Sequence, residues 1–120
     1  MNQRKLKYVG VNLLLARGTK SKQEPKELVK GKCIGVAFFV FGNLPAQNIN
    51  LSIEDTQGNP ILEAVDVRDY EKGIAGGQKA YKEVNFNTNG KVYINLFSPA
   101  DAISPVHGHF LFVIDTDGYE

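Results

Sequence analysis

The chain has no tryptophan, one cysteine and one methionine among its 120 residues. A single cysteine excludes an intrachain disulfide, so this is not a disulfide-stapled miniprotein. Cys33 stands in KCIGVAFFVF. There a thiol reads as a small buried hydrophobe, because a nucleophilic thiol needs histidine or other positive charge beside it. No run approaches the ~20 apolar residues of a membrane-spanning helix. MNQRKLKYVGVNLLLA comes closest to an export signal, with a basic start and a short apolar run. Asn12 interrupts that run, and no small-x-small cleavage site follows. Neither a membrane segment nor a signal peptide is expected.

Signatures of catalysis are also missing. The GxSxG nucleophile elbow is absent. GIAGGQKA is glycine-rich and carries a lysine, but Gln78 separates Gly77 from Lys79 and no Ser or Thr follows, so it fails the phosphate-loop pattern. His107 and His109 share one face of an extended chain and point at one spot. Asp115 lies ~20 Å further along at ~3.3 Å per residue, too far to join them from the same strand. Zinc takes at least three protein ligands, and nothing nominates a third. Asp115-Thr116-Asp117-Gly118 opens like a calcium loop, which needs about twelve residues and a late bidentate Glu. Only Tyr119 and Glu120 follow, so the stretch reads as an acidic terminus. Asp66 and Asp69, near Arg68 and Lys72, read as a solvated strand end, and the sequon Asn50-Leu51-Ser52 as chance. No residue is nominated for catalysis, and no metal or cofactor is expected. Neither an enzyme nor a small-molecule site is expected.

What is present is a split of charge. Residues 1–32 carry nine basic residues against Glu24 and Glu27, a net +7, while residues 33–120 carry a net −6; the whole is +1. Such asymmetry serves a solvated basic edge, a contact between the basic part of one copy and the acidic body of the next, or a phosphate surface. The basic part has one aromatic, Tyr8, and no nucleic-acid motif, so specific nucleic-acid recognition is not expected.

The hydropathy pattern is that of strands. At 42% hydrophobic and 22% charged the chain has enough apolar content for one core, and its length suits a single domain. Val9, Val11, Leu13 and Leu15 share a face opposite Tyr8, Gly10 and Asn12. RGTKSKQEPKE reads as a polar loop broken by Gly18 and Pro25. Val29 to Phe41 is apolar on both faces, with Ile34, Val36, Phe38 and Val40 against Ala37, Phe39 and Phe41. Ile49, Leu51 and Ile53 alternate with polar residues. DTQGNP is a turn, and Leu62 to Arg68 a less regular strand. Val84 and Phe86 mark a short strand. Asn89-Gly90 reads as a type I′ hairpin turn, because both residues tolerate positive φ. Val92, Ile94 and Leu96 form the next strand. SPADAISP is a proline-bounded loop with room for one helical turn, and His109 to Thr116 is the last strand. The fold expected over residues 1–120 is an all-β, antiparallel two-sheet sandwich of about seven to eight strands, Ig-like or single jelly-roll, with 1–7 as a basic arm.

SIEDTQGNPILEAVDV contains a D-x-x-G-N-P-I hairpin that resembles hairpins of bacterial and phage Ig-like modules. The whole pattern resembles the small single β-sandwich proteins of bacteriophage virions: capsid pentons, decoration proteins and fibre modules. That resemblance implies a non-enzymatic structural subunit that packs with copies of itself and with other shell proteins, located in a virion if viral and otherwise cytoplasmic. Arg4, Lys5, Lys7, Arg17, Lys20 and Lys22 are the expected charge contacts, and Phe39, Phe41 and Tyr93 the apolar ones. A carbohydrate-binding module is the alternative, with Tyr70, Tyr81, Tyr93 and Tyr119 as stacking platforms; the lack of tryptophan counts against it. A further alternative is an adaptor that binds one host protein along a strand edge.

Overall fold

The computed structural model describes residues 6–42, 44–70 and 82–117. Six strands run β1 Leu6–Leu15, β2 Ser21–Val40, β3 Asn50–Glu54, β4 Pro60–Asp66, β5 Lys82–Phe97 and β6 Val106–Asp115, with one 3₁₀ turn at Val67–Asp69. All six join in a single antiparallel sheet ordered β1-β6-β2-β5-β3-β4. The pairing is nested: first strand with last, second with fifth, third with fourth.

The long strands β2 and β5 link two halves of this sheet. From Lys32 to Val40, β2 pairs with β6, which in turn pairs with β1. From Ser21 to Leu28, β2 pairs with the part of β5 that carries β3 and then β4. Between the halves the register shifts. Leu28 faces Gly90 and Gly31 faces Thr88, so Val29 and Lys30 stand opposite Asn89 alone. This is a β-bulge, which bends a strand and sharpens its twist. Gly90 takes φ 111° on the opposite strand, a conformation glycine adopts without steric cost. The Thr88 hydroxyl donates to the Val29 carbonyl at 2.6 Å, giving a partner to an oxygen at the disrupted point of the ladder.

Four expectations are corrected here. Asn89-Gly90 does not reverse the chain; the left-handed glycine serves the bend inside one 16-residue strand. The two strands expected on either side of it are therefore one, and the described residues form six strands where seven to eight were expected. The polar stretch expected as a loop is strand from Ser21 onward. β6 leaves β2 at Lys32, so residues 21–31 form an edge, where charges and Pro25 are tolerated. Residues 98–105 contain no helical turn.

One face of every strand builds a single core. Leu13, Leu15, Val36, Phe38, Leu51, Ile53, Ile94, Leu96, Phe110, Phe112 and Ile114 are all buried and belong to one cluster. A second register shift, between Cys33 and Gly35, puts Cys33 on the same inner face as Val36 and Phe38, which strict alternation would place on opposite sides. Phe110 is packed edge-on by Tyr70 and Phe112, with ring centroids 5.7 and 5.0 Å away. At the β3–β4 turn the Asp55 carboxylate accepts from Gln57 N at 2.8 Å and Asn59 N at 2.9 Å, and Gly58 supplies φ 82°. These two backbone donors hold the Asp55 carboxyl below the usual carboxylate range.

Candidate functional site

The outer face of the β1-β6-β2 half is largely apolar. By register, Leu14 lies beside His107, Asn12 beside His109 and Phe39, Gly10 beside Leu111 and Ala37, and Tyr8 beside Val113 and Gly35. Phe41 packs edge-on against His107 at 5.0 Å. Tyr8, Leu14 and Phe41 stay 61%, 47% and 53% exposed. The His109 ring lies over Gly10, where an added Cβ would come within 2.0 Å of Nε2, and its Nδ1 is 3.1 Å from Asn12 Oδ1. Both histidines thus share a face, and His109 is held there by Asn12. Among the described residues, no three His, Cys, Asp or Glu side chains gather in a metal-binding group.

The split of charge maps onto opposite edges of the other half. Residues 17–31 carry five basic residues and two acidic, and their strand portion is the unpaired β2 edge. Residues 50–70 carry five acidic residues and one basic, and they form β3, the β4 edge and the turn beyond. Asp66 and Asp69 are partly engaged within the chain, by Arg68 at 3.0 Å and Lys82 at 2.6 Å. Arg68 also donates to the Gln47 carbonyl at 3.1 Å and to the Pro45 carbonyl, tying the β2–β3 connection to the end of β4. Lys7, Arg17, Lys20 and Lys22 are exposed on β1, on the β1–β2 turn and at the start of β2. Arg4 and Lys5 lie outside the described residues.

Between those two edges, the outer face of the same half forms a cleft of about 640 Å³. Gln23, Asn95 and Ser52 stand in one row because the register aligns β2, β5 and β3 there. Gln23 Nε2 donates to Asn95 Oδ1 at 3.0 Å, and Asn95 Nδ2 donates to Glu54 Oε1 at 2.9 Å and to Ser52 Oγ at 3.5 Å. Lys22, Glu63 and Phe97 complete the polar and aromatic walls. No sequence signal marks this row, since its members are 29 to 72 positions apart and meet only through strand pairing.

The aromatic expectations divide. Phe39 is half-buried on the outer face of the first half, and Phe41 is exposed beside it. Tyr93 is half-buried on the outer face of the second, between Pro25 and Glu54 and one rung from the cleft row. Tyr70 is corrected from a surface platform to a core residue, only 2% exposed. Asp66 accepts from Arg68 N at 2.9 Å and so starts the 3₁₀ turn that directs Tyr70 onto Phe110. Burial, with Asp69 as a smaller cause, pushes the Tyr70 phenol above its ordinary value. Tyr81 and Tyr119 lie outside the described residues, as does the glycine-rich stretch before Lys82. Cys33 is fully buried, and burial pushes its thiol up to about 11. Its Sγ donates to the Gly35 carbonyl at 3.3 Å. A thiol so placed is not a nucleophile. Among the described residues, no helix is long and apolar enough to cross a membrane. Searches against protein-family models and curated proteins match nothing to this chain.

Proposed function

We propose that this chain is a non-enzymatic structural subunit, of the kind built into a bacteriophage shell, that packs against further copies of itself and other shell proteins. The observation that carries the reading is the placement of opposite charge on opposite edges of one half of the sheet. The strip at residues 17–31 is net +3 and the region at 50–70 net −4. The partner these edges fit is a second copy of the chain, its acidic β4 side against the basic β2 edge. β1 lies on the same side of β2 as that edge and adds the exposed Tyr8 and Leu14 to the contact. A contact between unlike edges is heterologous, so it repeats around a ring or through an array.

The fold behind this reading is a two-layer sandwich with single jelly-roll connectivity. Its support is the nested pairing and the bulge. Divided at Val29–Lys30 and Gly90, β2 and β5 give eight segments in two four-stranded sets, the jelly-roll pattern. One core cluster shared by both halves fits layers ~10 Å apart, as does the shortest Cα extent of 18 Å.

Paired charge reversal tests the proposal. Lys30→Glu is expected to dissociate the assembly, as is Glu63→Lys, and mixing the two variants to restore it. Variants that assemble as fully as the parent chain would refute the edge contact.

A further inference from the structure

The floor of the cleft between the charged edges has no part in the assembly reading, although its walls share Lys22 and Glu63 with those edges, and its chemistry is of a different kind. Its floor is a row of amide and hydroxyl groups, with Gln23, Asn95 and Ser52 side by side and Glu54 accepting from Asn95. Ser52 is only 8% exposed, although it points to the outer face of the sheet, because the row and β4 cover it. Amides offer both donors and acceptors and hydroxyls do the same, whereas carboxylates only accept. Such a mixture suits a ligand whose own groups both donate and accept at every position. The cleft residues include two acids, Glu54 and Glu63, and one lysine, Lys22, so the cleft has no surplus of positive charge for a phosphate or other anion. Phe97, 36% exposed, sits one rung beyond Asn95 and offers an apolar ring face at the cleft wall. The volume of about 640 Å³ lies within the range of small-ligand sites, roughly 300–1,000 Å³.

We propose that this cleft binds a neutral sugar chain, with Gln23, Asn95, Ser52 and Glu54 hydrogen-bonding its hydroxyls and Phe97 lying against the C–H face of one ring. Sugar rings combine these two properties, a rim of hydroxyls that donate and accept and an apolar face that stacks on an aromatic. The site differs from the tyrosine platforms expected from the sequence. It keeps only the neighbourhood of Tyr93, and its stacking residue is Phe97.

The test is saturation-transfer NMR on the full chain with cellotriose, maltotriose, chitotriose and mannotriose as separate probes, followed by amide shift mapping with any that binds. The expected result is transfer to the ring protons of at least one trisaccharide, with shifts concentrated at Gln23, Ser52, Asn95 and Phe97. Asn95→Ala and Phe97→Ala should each weaken that binding about tenfold, the size of one lost hydrogen bond or stacking contact. Phe41→Ala, on the other half of the sheet, should leave it unchanged. Both cleft substitutions lie on the outer face, and an unchanged melting temperature separates lost binding from lost folding. Transfer to none of the four sugars would overturn the proposal, as would shifts confined to another surface. The outcome is independent of self-association, because the Lys30→Glu chain retains every cleft residue and should bind the same sugar.

Discussion

Gly108 leaves the space that one core ring fills, and an alanine there is expected to lower stability by about 1.3 kcal/mol. Gly108 lies on the inner face of β6, beside the fully buried Phe38 of β2. A Cβ at this position would lie 2.4 Å from Phe38 Cζ, 2.6 Å from Cε1 and 2.8 Å from the Phe39 carbonyl oxygen. The ring can turn only by leaving its packed rotamer, and the carbonyl belongs to the β2–β6 ladder. Overpacking of this kind costs roughly 1–3 kcal/mol. The reduced freedom of the unfolded chain returns about 0.4–1 kcal/mol, since Gly108 has no positive φ that alanine would have to avoid. For a chain of this size the net loss lowers the melting temperature by roughly 4–8 °C. Circular dichroism melts of the parent, Gly108→Ala, Phe38→Leu and the double variant measure it. The smaller side chain should relieve the clash, so the double variant should be more stable than the sum of the single losses, by at least about 1 kcal/mol. An unchanged or higher melting temperature for Gly108→Ala would refute this account of β2–β6 packing.

Thr88→Val keeps the side-chain shape but removes the donor to the Val29 carbonyl, and it should destabilise by about 1–2 kcal/mol in urea unfolding. Cys33 should resist thiol reagents at pH 8 in the native state and react at once in denaturant, because it is buried and its thiol is pushed up to about 11. Rapid native labelling would contradict that burial. The Asp55 carboxyl titrates below its unfolded value, so its contribution to stability is complete above that value and is lost as pH falls through the native one. Asp55→Ala should therefore lose stability at neutral pH and show a shallower acid limb below about pH 4. A parallel acid limb would assign that pH dependence to other carboxylates.

The sequence made some strands legible and hid the way they join. β1 and β3 could be read because one face of each is core and the other outward: Leu13 and Leu15 against Asn12 and Leu14, Leu51 and Ile53 against Asn50 and Glu54. The first half of β2 could not, because edge strands carry the charges and proline that also mark loops. Asn89-Gly90 signals positive φ, but a hairpin and a bend at a bulge both use it, and only the partner strand decides between them. Tyr70 reads as an exposed aromatic beside charged neighbours until the 3₁₀ turn directs it inward. The pairing of Leu6 with Asp115 and the row Gln23, Asn95, Ser52 rest on contacts between distant segments, which no local pattern encodes.

The charge split could be read directly, and its placement on two opposite edges is what the proposed assembly rests on. The most direct test of that assembly is the solution mass by light scattering after size exclusion, at low and at high salt. Exposed charge contacts are screened as ionic strength rises. The account predicts a multiple of the 13.2 kDa chain at low salt that falls towards the single chain at high salt. A mass of 13.2 kDa at both salt concentrations would contradict it.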